Sequence, residues 1–134
     1  MANIERFEHI GAWQKARVLT REVYVLTRDA PACRDFRYID QIRSASCSIM
    51  SNIVEGFERD GNAELKQFLY VAKASAGEVR SQLYVGLDVG YFTVPDFQRL
   101  MALVTEVVRM VAGFIRYLEQ SELKGRKYAD RNPN

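Results

Sequence analysis

Between Phe97 and Leu118, the residues Phe97, Leu100, Val104, Val107, Val111, Phe114 and Leu118 recur in alternating steps of three and four. This spacing tracks the 3.6-residue turn of an α-helix, so the stretch is predicted to be a rod of about 30 Å with one unbroken apolar seam. Such a rod gains little stability alone in water and must lay its seam against other helices. An earlier segment follows the same rule, with Leu65, Leu69, Ala72, Ala76, Val79, Leu83, Gly86 and Gly90. Regular four-three steps mark a bundle seam, and the small residues among them let a facing backbone come close.

Two further segments are helical by the same test. The first runs from about Gly11 to Asp29 and carries Trp13, Ala16, Leu19, Val23 and Leu26, with Pro31 just past its end. The second runs from about Asp35 to Arg59 and carries Ile39, Ile42, Ala45, Ile49, Ile53 and Phe57, closed by "RDGN". Nothing of length alternates with the period of two that a half-buried strand needs. Helices joined by short loops pack as antiparallel neighbours, so the expected fold class is all-α, an antiparallel up-down four-helix bundle. Asn62 is the expected N-cap of the third helix, with Glu64 in its first turn; Gly90 ends it, and Thr93, Pro95 and Asp96 start the last helix.

With 134 residues, the chain has the size of one domain. Residues 1–123 are expected to form the bundle and residues 124–134 a basic, flexible tail. The net charge of +2 is unevenly placed: Lys124, Arg126, Lys127 and Arg131 against Asp130 put +3 on the tail and leave −1 on the body. So neutral a body is unlike a domain that grips nucleic acid chiefly through phosphates, and any such role must rest on local stripes.

The last helix carries more apolar surface than one core requires. Met101, Val108 and Ile115 flank its seam on one side, and Leu103, Met110 and Tyr117 on the other. About three apolar positions in seven suffice for a helix facing a single core. The surplus predicts a homo-oligomer with Met101, Val108 and Ile115 in the interface.

No constellation supports catalysis. A di-metal carboxylate site in a bundle needs Glu-x-x-His pairs, and the single histidine, His9, precedes the first helix. The same histidine would have to serve any Ser-His or Cys-His dyad. "EGFERDGN" lacks the lysine and preceding strand of a phosphate-binding loop. The chain is therefore expected not to be an enzyme and to hold no metal or cofactor. Cys33 and Cys47 fit reduced thiols, with Cys47 as a small core residue. With an N-terminus lacking a secretory apolar block and no run of about 18 apolar residues, the expected location is the cytoplasm, away from membranes.

Two polar groupings stand out. Arg43, Asn52 and Glu55, together with Glu78, are expected to form a half-buried polar network that fixes helix register, since an unpaired buried charge is costly. Gly56 is expected to permit close helix approach. Lys66, Tyr70, Lys73, Gly77, Arg80 and Tyr84 descend the third helix in four-three steps, so bases and rings share one stripe. Bases that meet phosphates, interleaved with rings that stack on nucleobases, are what a single-strand binder uses. The other reading is a boundary stripe whose tyrosine rings and lysine stems cover a subunit contact. Lys124, Arg126 and Lys127 would add to the first reading as a salt-sensitive grip on RNA or DNA. Arg17, Arg21, Arg28 and Lys15 decorate the first helix, interrupted by Glu22 and Asp29, and read as a solvated face.

"QIRSASCSIMSNIVEGFER", with "FEHIGAWQKARVLTREVYVLT" before it and "ELKQFLYVAKASAGEVRSQLYVGLDVGYF" after it, resembles the bacterial four-helix-bundle family named for proteins encoded in intervening sequences of 23S ribosomal RNA genes. The resemblance covers about Phe7 to Leu118 and rests on Trp13-Gln14-Lys15-Ala16, Gln41-Ile42-Arg43, Ser51-Asn52-Ile53, Glu55-Gly56 and Gly90-Tyr91. Met50 departs from the proline common at that place, which implies a straighter second helix. The resemblance implies the up-down bundle and a ring-shaped homopentamer, without an established biochemical activity for most members. Related accessory proteins of diversity-generating retroelements are basic pentamers that engage nucleic acid. The expected function is thus a non-enzymatic scaffold or interaction protein; the alternative is an RNA- or DNA-binding accessory protein.

Overall fold

The computed structural model describes residues 4–29 and 31–131, with side-chain surroundings through residue 125. The helices are α1 (Gly11–Arg28), α2 (Phe36–Glu58), α3 (Asn62–Asp88) and α4 (Val94–Arg131), with 3₁₀ turns at Phe7–His9 and Ala32–Arg34. Each packs on its neighbours in a closed order, α1 on α2, α2 on α3, α3 on α4 and α4 back on α1. In this arrangement α1 and α3 stand across a diagonal. No strand occurs among the described residues, and the all-α bundle stands as expected.

The ends of the helices explain their lengths. Asp35 caps α2, its carboxylate accepting from the Tyr38 amide at 3.1 Å, and the Thr93 hydroxyl accepts from the Asp96 amide at 3.2 Å at the start of α4. At α3, Gly61 (φ 152°) is the N-cap, without a side-chain bond, and Asn62 is the first helical residue. Glycine takes that dihedral freely and is nearly as good an N-cap as asparagine, so the expected capping role moves back by one residue. Gly90 (φ 80°) closes α3, with the Gly90 amide donating to Leu87 and the Tyr91 amide to Gly86. This double bond pattern with a left-handed glycine is a Schellman stop.

The seams read from the sequence line the core. Leu69, Ala72, Ala76, Val79 and Leu83 of α3 and Leu100, Val104, Val107 and Val111 of α4 are fully buried, joined by Ala16, Leu19 and Val23 of α1 and Ile42, Ile49 and Ile53 of α2. Gly90 is outside this core, in the turn. At Gly56, an added Cβ would lie 2.8 Å from Phe68 Cβ and 3.2 Å from the Leu65 carbonyl oxygen, so this glycine sets the close approach of α2 and α3. Cys47 is half-buried beside Tyr24 instead of sitting in the core. Beyond Leu123, α4 runs on as helix through Arg131; the side chains of Arg126 and Lys127 lie outside the described residues.

Candidate interaction surfaces

The α3 stripe faces α4. Lys66 Nζ donates to Glu122 at 2.8 Å and the Tyr70 hydroxyl donates to Glu119 at 3.1 Å. These carboxylates push the Lys66 ammonium and the Tyr70 phenol up from their ordinary ranges. Farther along, Tyr84 packs edge-on against Phe97 with ring centroids 5.1 Å apart, within the range of about 4.5–7 Å that aromatic pairs favour. A shallow hollow of about 150 Å³ lies between the helices, lined by Tyr70, Lys73, Ala112, Ile115, Arg116 and Glu119. Lys73 and Arg80 are exposed and, like Arg116, make no ion pair among the described residues. Of the expected contacts, the stripe is thus continuous in space, but Lys66 is already neutralised. Lys124 is exposed.

The expected polar network does not form. Arg43 Nε donates to Thr27 Oγ1 at 2.9 Å and its guanidinium lies 4.4 Å from the centre of the Tyr24 ring, on the α1 side. Asn52 donates to Ser48 at 2.8 and 3.0 Å, and Ser48 bonds Ser75 of α3 at 2.9 Å. Glu55 pairs with Arg59 at 2.8 Å in the open, and Glu78 is exposed without an ion pair among the described residues. The reason is helical phase: Arg43 and Asn52 are about two and a half turns apart and so point to opposite flanks of α2. Separate links join α2 to its neighbours instead, among them Arg43–Thr27 and Thr20–Ser46 to α1, and Ser48–Ser75 and Tyr38–Gln82 to α3.

The apolar flanks of α4 are also placed differently from expectation. Ile115 is 4% exposed and belongs to the core of one chain. Met101 and Val108 are half-buried and pack against that core. A helix lying in the groove between two others must bury a wider arc than one seam, and α4 lies between α1 and α3. Part of the surplus read from the sequence is thus spent within the fold: Ile115 is buried, while Met101 and Val108 keep some surface at the solvent.

Apolar side chains do reach solvent elsewhere. Val18 and Val25 of α1 are 43% and 42% exposed, and Val71 and Val85 of α3 are 46% and 42% exposed. The first pair sits among Arg17, Arg21 and Arg28; the second alternates with Glu64 and Glu78 at seven-residue intervals, all exposed. A hollow of about 530 Å³ opens on the α1 face, lined by Glu8, Trp13, Gln14, Arg17, Val18 and Arg21. Trp13 Nε1 is buried there without an acceptor among the described residues. The seven-residue recurrence Glu64, Val71, Glu78, Val85 was visible in the sequence, but the buried seam of the same helix masks it.

Among the described residues, no group of three or more His, Cys, Asp or Glu side chains is placed to hold a metal ion, and no helix is long and apolar enough to cross a membrane.

A family model described as "23S rRNA-intervening sequence protein" matches residues 8–113. Among solved structures, the chain is similar to a protein with unknown function from the S23 ribosomal protein family of Bacteroides thetaiotaomicron VPI-5482. The TM-score is 0.71 at 20% identity, over 78% of this chain and 97% of that one. At that identity the likeness is one of fold. No curated protein is a significant match to the chain.

Proposed function

The chain belongs to the 23S rRNA-intervening sequence protein family, and from that premise we propose that it is a non-enzymatic, cytoplasmic interaction scaffold that assembles with copies of itself into a closed ring, a homopentamer. The observation that carries this reading is the position of the exposed valines: Val18 and Val25 on α1, Val71 and Val85 on α3. The two patches sit on helices across the diagonal of the bundle. Two different patches on opposite sides of one subunit favour head-to-tail contact, which closes into a ring when the rotation allows it. Free Cys33 and Cys47 are consistent with a reducing compartment. The test is the mass of the native chain in solution. A ring gives one species at a multiple of the 15.4 kDa chain, whereas a monomer at every concentration ends the proposal.

A second reading, contact with RNA or DNA, is favoured by Lys73, Arg80 and Arg116, whose charges are not neutralised by an ion pair among the described residues. They stand beside the exposed rings of Tyr70 and Tyr84, as in a surface that tracks phosphates and stacks bases.

A further inference from the structure

Resting on the self-assembly reading, we propose that the outer face of α1 in one copy docks on the outer face of α3 in the next, arginines against carboxylates around the exposed valines. On α1, Val18 and Val25 are one heptad apart, with exposed Arg17, Arg21 and Arg28 on one side of them and exposed Asp29 on the other, so that positive charge is in excess. These arginines are weakly engaged within their own chain. Arg17 lies 5.8 Å from the Trp13 ring centre, and Arg21 reaches Glu22 only at 3.7 Å. Glu22 itself is held by Arg99 at 2.6 Å. Arg28 makes no ion pair among the described residues.

The α3 face is its complement. Glu64, Val71, Glu78 and Val85 follow one another at seven-residue intervals, with Asp88 and Val89 at the end, and all are exposed. Glu64, Glu78 and Asp88 make no ion pair among the described residues. The bases of α3, Lys66, Lys73 and Arg80, lie on its other flank, toward α4, where Lys66 meets Glu122. Val85 by contrast borders the α2 side, in a hollow lined by Asp35, Arg37, Tyr38, Gln41 and Gln82, where Asp35 and Arg37 bring one charge of each sign. The helix is thus divided lengthwise by sign.

Complementarity selects the occupant. Two α1 faces would set arginines against arginines and two α3 faces carboxylates against carboxylates, so symmetric pairing through either face is disfavoured. The unlike pair attracts and buries valine on both sides. Because α1 and α3 run in the same direction in the up-down order, they meet as a parallel pair in a ring whose axis follows the helices. The hollow of about 530 Å³ beside Val18 is lined by Arg17 and Arg21 and by Glu8; Glu8 is paired with Arg6 at 2.9 Å, so Arg17 and Arg21 are the charges it offers to an acidic side chain of the neighbour.

Charge exchange tests this. The native chain, Arg17→Glu/Arg21→Glu, Glu64→Lys/Glu78→Lys, and the variant carrying all four changes are compared by multi-angle light scattering over a dilution series, with circular dichroism to verify the fold. Each double variant is expected to dissociate at a concentration at least about tenfold higher than the native assembly, and the fourfold variant to recover the native mass. Native-like mass in both double variants, or no recovery in the fourfold variant, overturns the placement while leaving self-assembly intact. A native chain that is monomeric throughout overturns both.

Discussion

The Tyr91 hydroxyl donates a 2.5 Å hydrogen bond to Oδ2 of Asp35, while Oδ1 of the same carboxylate caps α2. One side chain therefore ties the α3–α4 turn to the start of α2. Both bonds favour the charged carboxylate, with the Tyr91 bond the larger influence, and hold Asp35 below its usual range. A carboxylate depressed in the folded state contributes stability above its unfolded pKa, and that contribution is lost as pH falls through the folded value. Asp35→Asn should lower the thermal midpoint at neutral pH and flatten its fall under acid. The check is a set of melting curves from neutral pH down to below the ordinary carboxylate range, where native and variant midpoints should converge.

Glycine substitutions should divide by position. A Cβ at Gly86 would run into Phe92 Cε2 and lie 2.6 Å from the Tyr38 hydroxyl, while one at Gly77 meets nothing within 4 Å. Both Phe92 and Tyr38 are buried, so neither can step aside freely. Gly86→Ala should cost about 1–3 kcal/mol by overpacking. Gly77→Ala should stabilise by about 0.5–1 kcal/mol through reduced backbone entropy. Urea denaturation of the two variants reads both signs.

Ile115→Glu should unfold the chain instead of dissociating it. Deleting a buried isoleucine costs about 2–5 kcal/mol before the burial of a carboxylate is added, and Ile115 is 4% exposed within a single chain. Val25→Glu, at an exposed position, should keep its helicity and change the mass. Circular dichroism and light scattering on the same samples separate the two outcomes.

For the nucleic-acid reading, binding of single-stranded RNA should fall steeply between low and moderate salt and weaken on Lys73→Glu or Arg80→Glu. Lys66→Glu should act differently, because Lys66 is engaged with Glu122 at 2.8 Å: its main effect would fall on the α3–α4 contact and hence on stability. Fluorescence anisotropy at two ionic strengths checks the first, and a melting curve the second.

The helices and their seams were legible because a 3.6-residue period survives any detail of packing. Thr93 and Asp35 were readable as starts for the same local reason: a capping bond spans only a few residues. What did not carry over depended on angle around a helix. Arg43 and Asn52 look close in sequence but are opposed around α2, one bonded to Thr27 and the other to Ser48. Ile115 looks like a flank beside Val111 and Leu118, yet α4 lies between two helices and buries it. The Lys66–Glu122 pair joins helices far apart in sequence, and no local pattern announces it. Nor does composition reveal that the bases and carboxylates of α3 lie on separate flanks, which requires the helical phase and the identity of the neighbour on each side.

The most direct measurement is the solution mass of the native chain across a wide dilution series, at low salt and again at high salt. The account predicts a single closed species at a multiple of 15.4 kDa that loosens as salt screens the arginine and carboxylate faces. A 15.4 kDa species at all concentrations and both salts would contradict it.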